Sequence, residues 1–139
     1  MFLFFRKFRQ GGAAMCGAIL LSLLVGNLLL KNLVARDRPC WIDPDFLQLL
    51  VSVPKDFSFP SAHTMISVSA AAALFHYSKA LGIPALVIAA LVGFSRLYLF
   101  VHFPTDVLAG AVIGVILAVV SCIVTDKIAA RIKSKKAVN

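Results

Sequence analysis

Residues 95–106, SRLYLFVHFPTD, decide how this chain folds. They close one apolar run, 84–101, and open the next, 107–125, and they gather Arg96, His102 and Asp106 into the joint between them. Pro104 has no amide hydrogen and a fixed φ, so a helix arriving from the first run is expected to stop there. Thr105 or Asp106 is then placed to cap a new helix. Two apolar helices folded back around a charged turn is the reading. Charge is costly beside hydrocarbon, so charged groups at such a turn mark a functional site.

The rest of the chain agrees with a membrane setting. Of its 139 residues, 60% are hydrophobic and only 14% charged, with a mean hydropathy of +0.93. A soluble domain of this size has too little interior to hide that much apolar surface. An integral membrane, all-α bundle follows. It forms one domain over residues 1–139, with a basic interfacial segment at 1–10 and a basic tail at 126–139. Cys16, Cys40 and Cys122 make no disulfide framework, and no Cys-x-x-Cys or Cys/His cluster suggests a metal.

Spans need about 20 apolar residues. Four stretches serve: 11–33, 62–77, 84–101 and 107–125. The first outruns the apolar core of a signal peptide and is read as a retained helix. The second is short and rich in Ala and Ser, which suits close helix packing better than lipid contact. The fourth carries Gly110 and Gly114 in GxxxG spacing, a candidate contact face. Between the first two, residues 36–59 are broken by Pro39, Pro44 and Pro54, and the apolar piece 46–53 is expected to be an outer interfacial helix. Trp41 suits headgroup level, and residues 1–9, with four Phe and three bases, suit the opposite interface.

An even number of spans puts both termini on one side. That side holds Arg6, Lys7, Arg9, Lys79, Lys127, Arg131, Lys133, Lys135 and Lys136 against Asp126 alone. The other side holds Lys31, Arg36, Arg38, Lys55 and Arg96 against Asp37, Asp43, Asp45, Asp56 and Asp106. The net charge of +8 therefore lies on one face, which the positive-inside rule makes cytoplasmic. A nucleic-acid partner is excluded, because these bases flank spans and no reading module accompanies them.

The same layout gathers three polar segments on the outer face. They are Lys31-(six residues)-Arg38-Pro39, then Pro60-Ser61-Ala62-His63, then Ser95-Arg96-(five residues)-His102-(three residues)-Asp106. Cations neutralise phosphate oxygens, an imidazole can attack phosphorus or donate a proton, and a carboxylate can hold an imidazole in one tautomer. In order and spacing these segments resemble the type 2 phosphatidic acid phosphatase (PAP2) superfamily, in its membrane lipid phosphatase branch.

The resemblance implies a phosphatase that forms a phosphohistidine and needs neither metal nor other cofactor. It assigns His102 as nucleophile, Asp106 as the carboxylate orienting it, and His63 as general acid. Lys31, Arg38 and Arg96 would clamp phosphate, with Ser61, the backbone N–H of Ala62 and Ser95 as further contacts. His76 reads as structural, Arg36 and Lys55 as snorkelling bases, and Tyr98, Phe100 and Phe103 as core or lipid contacts. Substrates of this kind include undecaprenyl diphosphate, phosphatidic acid and phosphatidylglycerol phosphate, in a bacterial cell membrane.

Two departures stand out. Ala62 replaces the family's usual Gly, and one helix precedes the first motif where relatives have one or two more. Either four spans suffice, a partner subunit or second copy completes the bundle, or the chain is incomplete. Two rivals use the same residues: a phosphotransferase that excludes water, and a non-catalytic membrane subunit binding anionic lipid. An intact histidine pair is unnecessary for the second.

Overall fold

A computed structural model describes residues 6–43 and 52–138, and among these every regular element is helical. Helix α1 (Arg6–Ser22) runs without a break into a π-helical segment (Leu23–Leu30) and a closing turn, α2 (Lys31–Val34). After the short α3 (Pro39–Ile42) come α4 (Ala62–Tyr77), α5 (Lys79–Tyr98) and α6 (Pro104–Val138). Three helical stretches are long and apolar enough to cross a membrane: 8–42, 79–98 and 104–135.

The remaining expected span, α4, has 16 residues. At 1.5 Å per residue it is about 24 Å long, less than the roughly 30 Å hydrocarbon core. It is nevertheless the axis of the bundle, touching α1, α5 and α6. Its Ala and Ser content is the reason. Ala71 and Ala73 are buried, and Ser69 is fully buried, bonded to Ser22 across the interface at 2.9 Å. Small side chains bring backbones close, and hydroxyls supply the polar contact that hydrocarbon cannot.

The GxxxG face of α6 lies on α4. A Cβ at Gly110 would sit 2.7 Å from the Ser61 carbonyl oxygen, and one at Gly114 only 2.6 Å from that of Met65. These are backbone atoms and cannot swing aside. Gly114→Val should therefore force α4 and α6 apart, at a cost of about 3 kcal/mol or more. A large drop in the thermal unfolding temperature in detergent checks it; an unchanged transition would contradict this packing.

Two boundaries differ from the sequence reading. Helix α5 begins at Lys79, and Pro84 lies inside it. A one-residue link, Ser78, joins it to α4, and Gly82 packs so tightly on Phe75 that a Cβ there would meet its Cα at 2.2 Å. That contact outweighs the hydrogen bond lost at Pro84. Pro104 opens α6 rather than closing α5, which already ends at Tyr98. Proline at a first helical position loses nothing, because that N–H has no partner anyway. Asp106 accordingly sits in the first turn, and its Oδ2 accepts from the Phe103 N–H at 2.9 Å.

The last helix also continues through the basic tail as far as Val138. At the end of the bundle away from the three motifs, Asp126 ties it to α4, accepting from Tyr77 OH at 2.8 Å and lying 3.3 Å from His76 Nε2. The expected interfacial helix at 46–53 falls mostly outside the described residues, as does most of the segment 1–9.

Candidate active site

Each motif reaches the site because a helix ends or begins at it. The N–H of Lys31 bonds back to the Gly26 carbonyl, the wide turn of the π segment. Ala35 then adopts the left-handed conformation (φ 47°) and ends the helix, turning the chain toward Arg38. Pro39 holds Arg38 extended, at φ −87° and ψ 150°. At the far side, two residues past the end of α5, a second left-handed residue, Phe100 (φ 55°), redirects the chain so that His102 lies buried. A non-glycine residue pays about 1–2 kcal/mol for this conformation. Both are found where the chain doubles back into the site.

The cavity so formed has a volume of about 370 Å³ and is lined by Lys31, Arg38, Asp56, Ala62, His63, Arg96 and His102, together with Asn27, Ser52, Pro54, Ile66 and Val101. Six of the nine expected site residues thus share one wall. Asp106 lies behind it, fully buried. Ser61 and Ser95 do not line it. The Ser61 hydroxyl is 3.0 Å from Thr64 Oγ1, and its N–H donates to the Asp106 carbonyl at 3.1 Å. Ser95 Oγ accepts from Arg96 Nε and Nη2 at 3.2 and 3.1 Å. It steadies that guanidinium.

Arg38 is the hub, only 3% exposed. Its Nη1 donates to the Val101 carbonyl at 2.8 Å and lies 3.3 Å from His102 Nε2. Its Nε and Nη2 donate to the backbone and side chain of Asp56, at 2.7 and 2.8 Å. The Asp56 carboxylate also pairs with Lys31 Nζ. Burial would raise its pKa, but Lys31 and Arg38 together hold it below the ordinary carboxylate range.

Sequence reasoning passed over Asp56, Ser58 and Arg36. Asp56 looked like one acid among several in a polar loop. Arg36 is more than a snorkelling base: Nη1 donates to Asp106 Oδ1 and Thr105 Oγ1, each at 2.8 Å, and the guanidinium lies 4.1 Å over the Phe103 ring. Ser58 donates to Asp106 Oδ2. The only signal for it was its place three residues before Ser61, in a loop with no periodicity to read.

Burial, followed by the nearby Arg38 charge, pushes the His102 imidazole down to about 4. It is therefore neutral, with a free lone pair, at neutral pH. An unfolded histidine takes its proton near 6.5, so between about 6.5 and 4 the unfolded chain binds more protons and stability falls as pH falls. Above 6.5 the contribution is complete. Ring NMR of labelled histidine should give a His102 midpoint near pH 4, and His102→Ala should flatten this part of the stability profile. A midpoint at the ordinary value would contradict the burial described.

Comparison with known proteins follows the same lines. A family profile described as the PAP2 superfamily matches residues 11–129. An undecaprenyl-diphosphatase of Sulfolobus acidocaldarius is 33% identical over 116 residues, covering 82% of this chain and 55% of that protein. Phosphatidylglycerophosphatase B of Bacillus subtilis is 36% identical over 128 residues, covering 82% and 57%. The crystal structure of a transmembrane PAP2-type phosphatidylglycerolphosphate phosphatase from Bacillus subtilis superposes with a TM-score of 0.71 at 34% identity, over 91% of this chain and 64% of that one. The chain spans a little over half the length of these two curated relatives. With the family profile over most of the chain and a matching membrane-helix bundle, the chain is an integral membrane protein that belongs to the PAP2 superfamily.

Proposed function

We propose that the protein is a membrane phosphatase that hydrolyses a lipid phosphate or diphosphate through a phosphohistidine at His102. One observation carries this: two imidazoles and three cations, from segments up to 71 residues apart, border one cavity. With neutral histidines, Lys31, Arg38 and Arg96 against Asp56 leave a charge of +2 on that wall. A phosphate monoester dianion matches it.

In this mechanism Lys31, Arg38 and Arg96 hold the phosphate oxygens, with Arg38 exchanging its bond to His102 Nε2 for one to phosphate. The freed lone pair attacks phosphorus, the bond to the leaving oxygen breaks, and His63, which takes up a proton from solvent as the dianion binds, supplies that oxygen's proton. Water, deprotonated by His63, then splits the N–P bond. Asp106 stabilises the imidazolium, Ser95 steadies Arg96, and the Ala62 N–H, at the start of α4, is available to a phosphate oxygen. Electrostatic positioning does most of the work in such transfers. No metal takes part.

The substrate class is an amphiphile, such as a polyprenyl diphosphate, phosphatidic acid or phosphatidylglycerol phosphate; the names of the relatives, an undecaprenyl-diphosphatase and phosphatidylglycerol phosphate phosphatases, support the first and the last. The chain works as one domain, with the site on the outer face and the basic segments 1–10 and 126–139 in the cytoplasm. Phosphate release from a panel of these lipids, by the purified protein in detergent with chelator present, tests the reading. Turnover should persist with chelator and be blocked by vanadate; no release from any of them would refute it. A tag after Asn139 should resist external protease in intact cells, and cleavage there would invert the sidedness.

A further inference from the structure

Asp106 does not touch His102 directly. The separation from His102 Nδ1 to Asp106 Oδ2 is 3.8 Å, beyond hydrogen-bond reach. The carboxylate is engaged elsewhere, by Arg36 Nη1 on Oδ1 and by the Phe103 N–H and the Ser58 hydroxyl on Oδ2. Ser58 Oγ fills the gap, 3.4 Å from His102 Nδ1. We infer that Ser58 is a positioning residue for the nucleophile, its hydroxyl donating to Asp106 and accepting from the His102 Nδ1–H. The carboxylate then orients the imidazole through the serine. The inference rests on the reading of His102 as nucleophile.

Ser58 is held for this task. It is fully buried, and its backbone N–H donates to the Arg36 carbonyl at 2.8 Å. The Arg36 side chain in turn grips Asp106. These three residues close a ring of contacts that leaves the hydroxyl little freedom. A hydroxyl has one hydrogen to give. Ser58 gives it to Asp106, so toward the imidazole it can only accept, which places the ring proton on Nδ1. Arg38 points to the same tautomer: guanidinium nitrogens only donate, and Nη1 faces Nε2. During attack the Nε2–P bond forms, the P–O bond breaks, and the leaving oxygen takes its proton from His63. The Nδ1 proton stays on the ring. Its bond to Ser58 strengthens as the ring becomes cationic, and no proton needs to pass through the serine.

Ser58→Ala removes the bridge and leaves Asp106 out of reach. We expect kcat to fall about 10- to 100-fold with KM nearly unchanged, the signature of an interaction made chiefly in the transition state. In ¹⁵N-histidine spectra of the detergent-solubilised protein, wild-type His102 should carry its proton on Nδ1, and Ser58→Ala should give a tautomer mixture. Ser58→Thr, which keeps the hydroxyl, should restore both. Should Ser58→Ala not fold, Ser58→Cys replaces it, since a thiol donates weakly: kcat should fall with Cys and hold with Thr. A wild-type ring protonated on Nε2, or a tautomer and kcat indifferent to Ser58, would overturn the bridge. The spectra need no turnover. A chain inactive on every lipid phosphate but with a Ser58-dependent tautomer would refute the proposed function and leave the bridge standing.

Discussion

His102→Ala should abolish phosphate release, by at least about 10³-fold, while leaving the fold intact. A nucleophile has no substitute, whereas a general acid can be partly replaced by water, so His63→Ala should fall less far. The fold should survive because Arg38 keeps its bonds to the Val101 carbonyl and to Asp56 when the ring is removed. The variant's stability deficit relative to wild type should shrink as pH falls from about 6.5 toward 4, since the ring that resists protonation is gone. Rapid-quench trapping of a phosphorylated protein from labelled substrate checks the chemistry. Wild type should give an acid-labile, base-stable phosphoryl group and the variant none. Turnover or labelling that persisted in His102→Ala would remove this residue as nucleophile.

The second large effect should come from Asp106, and its two substitutions should separate. Asp106→Ala deletes a fully buried acceptor and strands the donors Arg36, Ser58 and the Phe103 N–H. Removing one partner of a buried ionic cluster costs about 3–5 kcal/mol, less here because Arg36 is partly exposed and can rehydrate. Asp106→Asn keeps shape and one acceptor but loses the charge that stabilises an imidazolium. It should fold almost normally and still lose about 10²- to 10⁴-fold in kcat, as when the carboxylate of a comparable constellation is neutralised. Thermal unfolding and kcat measured on both variants check this. An Asn variant with wild-type kcat would make Asp106 a structural cap and nothing more.

What could be read from the chain divides by range of interaction. Lys31, His63, Arg96 and His102 were legible because each sits at or beside an end of an apolar run, and a bilayer sorts such ends to two faces; Arg38 was legible through its spacing from Lys31. Gly110 and Gly114 were legible through their spacing, and they do pack on α4. The start of α5 was not, since Gly82 meeting Phe75 has no trace in hydropathy and Pro84 was a stronger local signal. Nor were Asp56, Ser58 and Arg36. Their partners lie 18 to 70 residues away, and the loop that delivers them has no repeating pattern that would say where a side chain turns. Ser61 and Ser95 show the converse. Both sit within the motifs, yet local geometry turns one hydroxyl to Thr64 and the other to its own neighbour, Arg96.

The Asp56 carboxylate, seated between Lys31 and Arg38, gives the pocket a resident anion. An arriving headgroup meets Lys31 and Arg38 already paired, so its grip on them is the difference between two occupants rather than the full attraction of bare charge. Weak anions such as chloride or a lone carboxylate gain little by that exchange, while a doubly charged phosphate gains much. In the proposed phosphatase this exchange selects for charge density before any chemistry begins.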